Sequence, residues 1–199
     1  MTNNVSFNNM ETNVAVPFGQ RTDGNGIIID DCRNSQTGHA PPYTGPGHVA
    51  YNLVHGNGGK GIQVCWSDNI VVDHNTAYDN NQDVGNVSNW RGEINSASSS
   101  NTTFANNVAY AVPVAGDVRV NDTAYLSEPS SNFGLQFTTN LSFNGTPGAK
   151  SLSPSMLKMA LPLSNMLGVN PLFVSTDPSS INLALKTTSP IYYKDIGFR

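Results

Sequence analysis

The sequence predicts an all-β fold, a solenoid of short parallel strands wound into successive coils. Three observations predict it. Between Gly61 and Asn81 (GIQVCWSDNIVVDHNTAYDNN), three short runs at 62–64, 70–72 and 76–78 carry apolar residues two apart. That is the strand period and not the helix period. Ser67-Asp68-Asn69 and Asp73-His74-Asn75 separate the runs, and such residues make tight corners by bonding their own backbone. A five-residue cassette also recurs: Asn, apolar, small, aromatic or His, then Asn, Asp or Gly. It appears as Asn4-Val-Ser-Phe-Asn8, Asn52-Leu-Val-His-Gly56 and Asn75-Thr-Ala-Tyr-Asp79, and more loosely from Asn107 and from Asn140. Recurrence of this kind marks a stack of units.

Composition narrows the class. Among 199 residues the charged share is 12% and the apolar share 38%, while Asn numbers 26 and Gly 18. Such a chain is either disordered or turn-rich β, and alternating runs of Val, Ile, Phe and Tyr favour ordered strands. A net charge of -4 supplies no basic patch for nucleic acid. No apolar run reaches the ~18 residues a membrane span needs. The opening MTNNVSFNNMETN has no charged and apolar leader pattern and starts inside a repeat. The expectation is a single β-helix domain over 1–199, the C-terminal part of a longer architecture, whose open N-terminal end invites self-association. Cys32 and Cys65 fit a disulfide or two thiols.

Taken in order, the strand after Gly26 (Ile-Ile-Ile), the strand after Gly61 (Ile-Gln-Val) and the strand after Glu93 should stack. Stacking places Ile27, Ile62 and Ile94 in one internal column and Ile29, Val64 and Ser96 in the next. Asn52, Asn75 and Asn107 would stack at a corner, their amides bonding between coils. Residues 33–47, rich in Pro and Gly, read as an inserted loop, and 79–91 as an enlarged corner. The Asn positions are 48, 23, 32 and 33 residues apart. The shortest step is a bare coil and the longest is two coils or one with a large insertion, so the expectation is about five to six coils in all. Near the C-terminus, Ser153-Pro154 followed by Met, Leu and Ala predicts a short helix, and 151–199 a closing segment.

The stretches 22–31, 56–81, 92–110 and 170–191 together resemble the right-handed parallel β-helix superfamily, the pectate-lyase-like fold, and bacterial polysaccharide lyases within it. The resemblance is specific for fold and weak for activity, because that superfamily hosts lyases, hydrolases, epimerases and non-catalytic modules. It implies a secreted or periplasmic protein whose outward strand positions form a floor for a long polysaccharide. The best such face is that of the Gly26, Gly61 and Glu93 strands.

Near that face lie the candidate residues. Lys60 and Arg91 each precede a glycine or nearly so, and are the candidate catalytic pair for β-elimination from an acidic, uronate-containing polysaccharide. Removing a carbon-bound proton leaves enolate-like charge that a second cation must stabilise, and a neighbouring cation lowers a lysine's pKa toward that of a useful base. Two ordinary surface cations would leave the same trace. His55, Gln63, Trp66, Trp90, Glu93 and Asn95 are candidate substrate-binding residues, Trp66 and Trp90 because indole offers an apolar plane to a sugar ring. His55 also fills the aromatic slot of the repeat. Asp23, Asp30 and Asp31 are candidate calcium ligands, or else corner formers. A hydrolase would need two acids about 5–9 Å apart, and Asp30 or Asp31 lies two coils from Glu93. Non-catalytic carbohydrate binding, or an inactive fragment of a larger glycan-active enzyme, is the competing class.

Overall fold

A computed structural model describes the chain except residues 15–18, 20, 22, 37, 39, 86–90, 115–121, 128–131 and 199. Strand β1 (Val5–Phe7) comes first, followed by β2 (Ile27–Asp30), β3 (Gly47–Ala50) and β4 (Leu53–His55). The next coil holds β5 (Ile62–Cys65), β6 (Ile70–Asp73) and β7 (Thr76–Tyr78). Then come β8 (Ile94–Ala97), β9 (Thr103–Ala105) and β10 (Val108–Tyr110), and β11 (Tyr125–Ser127), β12 (Gln136–Thr138) and β13 (Leu141–Phe143). The two-residue β14 (Met166–Leu167) and the pair β15 (Phe173–Ser175) and β16 (Asn182–Leu185) close the order.

The strands form three parallel sheets. Sheet I runs β2-β5-β8-β11, sheet II runs β3-β6-β9-β12, and sheet III runs β1-β4-β7-β10-β13-β14. Each strand thus pairs with its counterpart one coil away, which fits a parallel β-helix. Among the described residues, four coils place a strand in all three sheets, and β1 and β14 extend sheet III by one strand at each end. The expected C-terminal helix is a single 3-10 turn, Met156–Lys158. Pro162 follows the turn within four residues, and Met156 is buried against the core at the end of the stack.

Inside the stack the columns form as the repeat predicts. Ile27, Ile62, Ile94 and Tyr125 stand in register, as do Ile29, Val64, Ser96 and Ser127. Sheet II contributes Val49, Val72, Phe104 and Phe137. Sheet III contributes small residues, among them Ala77, Ala109 and Ser142. Large and small side chains offset one another across the lumen. Tyr125 is fully buried, stands edge-on to Phe137 with centroids 4.8 Å apart, and donates its hydroxyl to the carbonyls of Asn107 and Leu141.

Between sheets II and III the chain turns through a residue with positive φ followed by Asn: Tyr51-Asn52, His74-Asn75, Asn106-Asn107. The Asn side chains form a ladder. Each Nδ2 donates to the next Oδ1, Asn4 to Asn52 at 2.9 Å, Asn52 to Asn75 at 2.8 Å, Asn75 to Asn107 at 2.9 Å and Asn107 to Asn140 at 3.0 Å. Each Oδ1 also accepts the preceding rung's backbone N–H. A buried corner has few other ways to pair these groups.

The aromatic slot of the cassette points outward from sheet III. Phe7, His55, Tyr78, Tyr110 and Phe143 stand in one column. The C-terminal segment packs across its later part: Phe173, Ile191 and Ile196 are buried with Tyr78, Val108, Leu141 and Phe143 in a second core. It therefore covers the side of sheet III, while the earlier Val5 and Phe7 stay exposed.

Asn75→Ala removes a fully buried rung that makes bonds on both sides, so stability should fall by about 3 kcal/mol. The same change at the exposed Asn4 should cost less than about 1 kcal/mol. Urea denaturation of the two variants checks this, and equal losses would contradict a load carried by the buried rungs.

Candidate functional site

Sheet I turns alternate residues of its strands outward. Ile28, Gln63, Asn95 and Leu126 form one outward column, and Asp30, Cys65 and Ala97 the next. The sequence expectation of a solvent-facing floor is met in position but not in exposure. Ile28 and Asp30 are exposed, whereas Gln63, Cys65, Asn95 and Ala97 are all buried.

Lys60 enters this side just before β5. Its backbone N–H donates to Asn25 Oδ1 at 2.8 Å, and Asn25 Nδ2 reaches Gln63 Oε1 at 3.2 Å. The Lys60 side chain is only 4% exposed. Burial lowers its pKa from the ordinary lysine value, opposed by Asp23 and Cys65 and reinforced by Arg91. Arg91 is buried to the same extent. The two cations are close enough to interact but not level: Ile62 pairs with Ile94, which sets Lys60 beside Gly92 and Arg91 one residue further back.

Asn95 is the residue of the set with the sharpest constraint. It is wholly buried, and neither amide atom has a hydrogen-bond partner among the described residues. It stands level with Gln63 on the neighbouring strand. Beside them the Cys65 thiol is pushed up to about 12, by burial first and by Asp30 next, and so stays protonated near neutral pH. Cys32 and Cys65 are both free.

Glu93 belongs elsewhere. It is fully buried and accepts Asn80 N–H at 3.0 Å together with Asn80 Nδ2. Asn80 in turn accepts from Asn57, and Asn57 from Asn9. Glu93 thus ends a second amide ladder, at the corner between sheets III and I. Burial raises its pKa to about 8, partly offset by the Asn80 bonds. His55 lies on sheet III, its ring stacked on Phe7 at 5.3 Å, and burial lowers its pKa. Trp66 occupies the corner after β5 with φ of 41° and is half-buried. Trp90 lies outside the described residues.

The three aspartates do not behave as one set. Asp31 Oδ1 accepts the Ser35 N–H and hydroxyl, and its Oδ2 accepts the Gln36 N–H, so it shapes the start of the 33–47 loop. Asp30 has its pKa raised, by partial burial first and then by Asp31 and Asp23. Asp23 accepts from Asn25 Nδ2 at 3.2 Å. Among the described residues no group of three or more His, Cys, Asp or Glu is arranged to hold a metal ion.

Sequence spacing gives no hint of a second polar cluster, on sheet II. His48 Nε2 lies 2.5 Å from Asp73 Oδ1, His74 Nδ1 lies 3.0 Å from Asp73 Oδ2, and His74 stacks on Tyr51 at 4.8 Å. Only the strand register brings residue 48 beside residue 73. No helix is long and apolar enough to cross a membrane among the described residues. No family model matches the chain, and neither a curated protein nor a solved structure does.

Glu93 yields a pH prediction. The folded protein holds a proton there that the unfolded chain releases at a glutamate's ordinary 4.5. The associated stability is full below that pH and is lost as pH rises through about 8. Glu93→Gln should flatten the fall between these values in urea titrations across pH. An unchanged slope would mean that the carboxyl titrates normally.

Proposed function

We propose that this chain is a right-handed parallel β-helix of the pectate-lyase-like kind that binds an acidic, uronate-containing polysaccharide on the outer side of sheet I. Lys60 is the base where the bound chain is cleaved by β-elimination. The observation that carries the reading is Asn95. Leaving a buried amide unpaired costs about 1–3 kcal/mol, and an unpaired group of this kind calls for a partner. Sugar hydroxyls donate and accept, which matches an amide offering one of each. Gln63 stands level with it.

The cations supply the rest of the chemistry. A uronate carboxylate held against Arg91 would be neutralised, which acidifies the adjacent carbon-bound proton. Lys60 in its neutral form, which burial favours, accepts that proton while Arg91 holds the enolate-like charge. A C=C bond forms as the bond to the leaving oxygen breaks, and that oxygen takes a proton from water. No step is assigned to calcium, because Asp31 is committed to its loop and Asp23 and Asp30 alone make a poor ligand set. Secretion to the exterior or periplasm accords with such a substrate.

The second reading is a non-catalytic carbohydrate-binding module or an inactive remnant of a larger glycan-active enzyme. Burial of Lys60 and Arg91 to 4% exposure favours it, since a glycan chain must displace whatever shields them.

Incubating the protein with polygalacturonate, alginate and a glucuronate polymer, with and without calcium, separates the readings. Elimination predicts an unsaturated, ultraviolet-absorbing product whose rate falls by about a hundredfold or more in Lys60→Ala. Lys60→Gln, which keeps most of the side-chain volume, should be equally inactive while unfolding at a similar temperature. Retardation in glycan-containing gels without product supports the module. The absence of both product and retardation overturns the proposal.

A further inference from the structure

Three Asn-Gly pairs occur in the sequence, Asn25-Gly26, Asn57-Gly58 and Asn144-Gly145. Asn-Gly is the pair most open to self-reaction, because glycine leaves the following backbone nitrogen unshielded. The three sit in very different surroundings.

Asn57 is a fully buried rung of the second ladder, donating to Asn80 Oδ1 at 2.8 Å and accepting from Asn9. The Gly58 N–H, whose nitrogen would attack, donates to Asn9 O at 2.7 Å. Asn25 is held by Asp23, Gln63 and the Lys60 N–H, and the Gly26 N–H donates to Lys60 O at 2.9 Å. In both pairs nucleophile and electrophile are each tied to a neighbouring coil.

Asn144 follows β13 and leads into an exposed turn over 145–148. Its Nδ2 makes one bond, to Asp122 O at 3.2 Å, and its Oδ1 accepts Thr146 N–H at 3.2 Å. The Gly145 N–H makes no hydrogen bond among the described residues, and no atom lies within 4 Å of where a Gly145 Cβ would stand. Space and backbone freedom are therefore available there alone.

We infer that Asn144 is a self-modification site, converting to aspartate and isoaspartate in the folded protein while Asn25 and Asn57 are protected. The Gly145 nitrogen gives up its proton and attacks Asn144 Cγ. The new C–N bond forms as the Cγ–Nδ2 bond breaks, and ammonia leaves with the proton. Water then opens the succinimide at either carbonyl, giving aspartate or isoaspartate. The product replaces the donor facing Asp122 O with a carboxylate. That carbonyl also accepts Ser151 Oγ at 2.7 Å, so the change falls on the corner that leads into β11. The isoaspartate form also lengthens the backbone of a turn that is tied to β14 by Gly148 N–H donating to Gly168 O at 2.9 Å.

Peptide mapping by mass spectrometry after warm incubation at mildly alkaline pH tests this. In the folded protein the peptide holding Asn144 should gain about one mass unit and split into two isomers. Its rate should exceed that of the other two pairs by at least an order of magnitude, because they react only through opening of the stack. In urea all three should react at similar rates. Gly145→Ala should slow the reaction in both states, since a methyl group shields the nitrogen. Equal rates at the three sites in the folded protein, or an unmodified Asn144, would overturn the inference.

Discussion

The structure rests on one constraint: a corner that turns the chain sharply must pair its backbone groups without water. The asparagine ladder meets it. In each buried rung one amide satisfies the backbone N–H and the amide of the preceding rung and donates to a backbone carbonyl one coil back. The residue before each rung takes positive φ, even where it is Tyr51 or His74, a conformation costly for such side chains. The stack over-determines it. Every other regularity follows from corners held at one place, since register in a parallel sheet is then set coil by coil.

With register fixed, the lumen and the outer faces become separate problems. The lumen is filled by complementary bulk, Tyr125 and two phenylalanines on one side against alanine and serine on the other. The outer face of sheet III is apolar and aromatic, and the C-terminal segment shields its later part. The outer side of sheet I is shielded as well, but there the enclosed residues are polar and charged. Enclosing Lys60, Arg91, Gln63 and Asn95 is costly unless each finds a partner. Among the described residues Asn95 does not, and this distinguishes the polar cluster on sheet I from the two ladders, where amides are enclosed and paired.

The same residue types play opposite parts according to which corner they reach. Glu93 and Asn95 are two residues apart, yet Glu93 terminates a ladder and Asn95 faces outward with no partner among the described residues. His55 fills an aromatic slot, while His48 and His74 join Asp73 on sheet II. Proximity in sequence is a poor guide in a solenoid, because neighbours in space are usually one coil away.

The sequence by itself determined the stacked parallel strands, the internal columns and the Asn corner. Period-two apolar runs and a repeating cassette are local signals, and stacking identical units leaves one way to align them. It also placed Gln63 and Asn95 on one side of one sheet, which follows from alternation alone. Only the tertiary structure decided that this side is closed, that Glu93 turns into a ladder, and that Asp31 serves its own loop. It also reduced the expected helix to one turn and laid the C-terminal segment along sheet III. Those outcomes depend on what insertions and terminal segments fold against. That contact lies between stretches of chain with no shared period, so no repeat in the sequence encodes it.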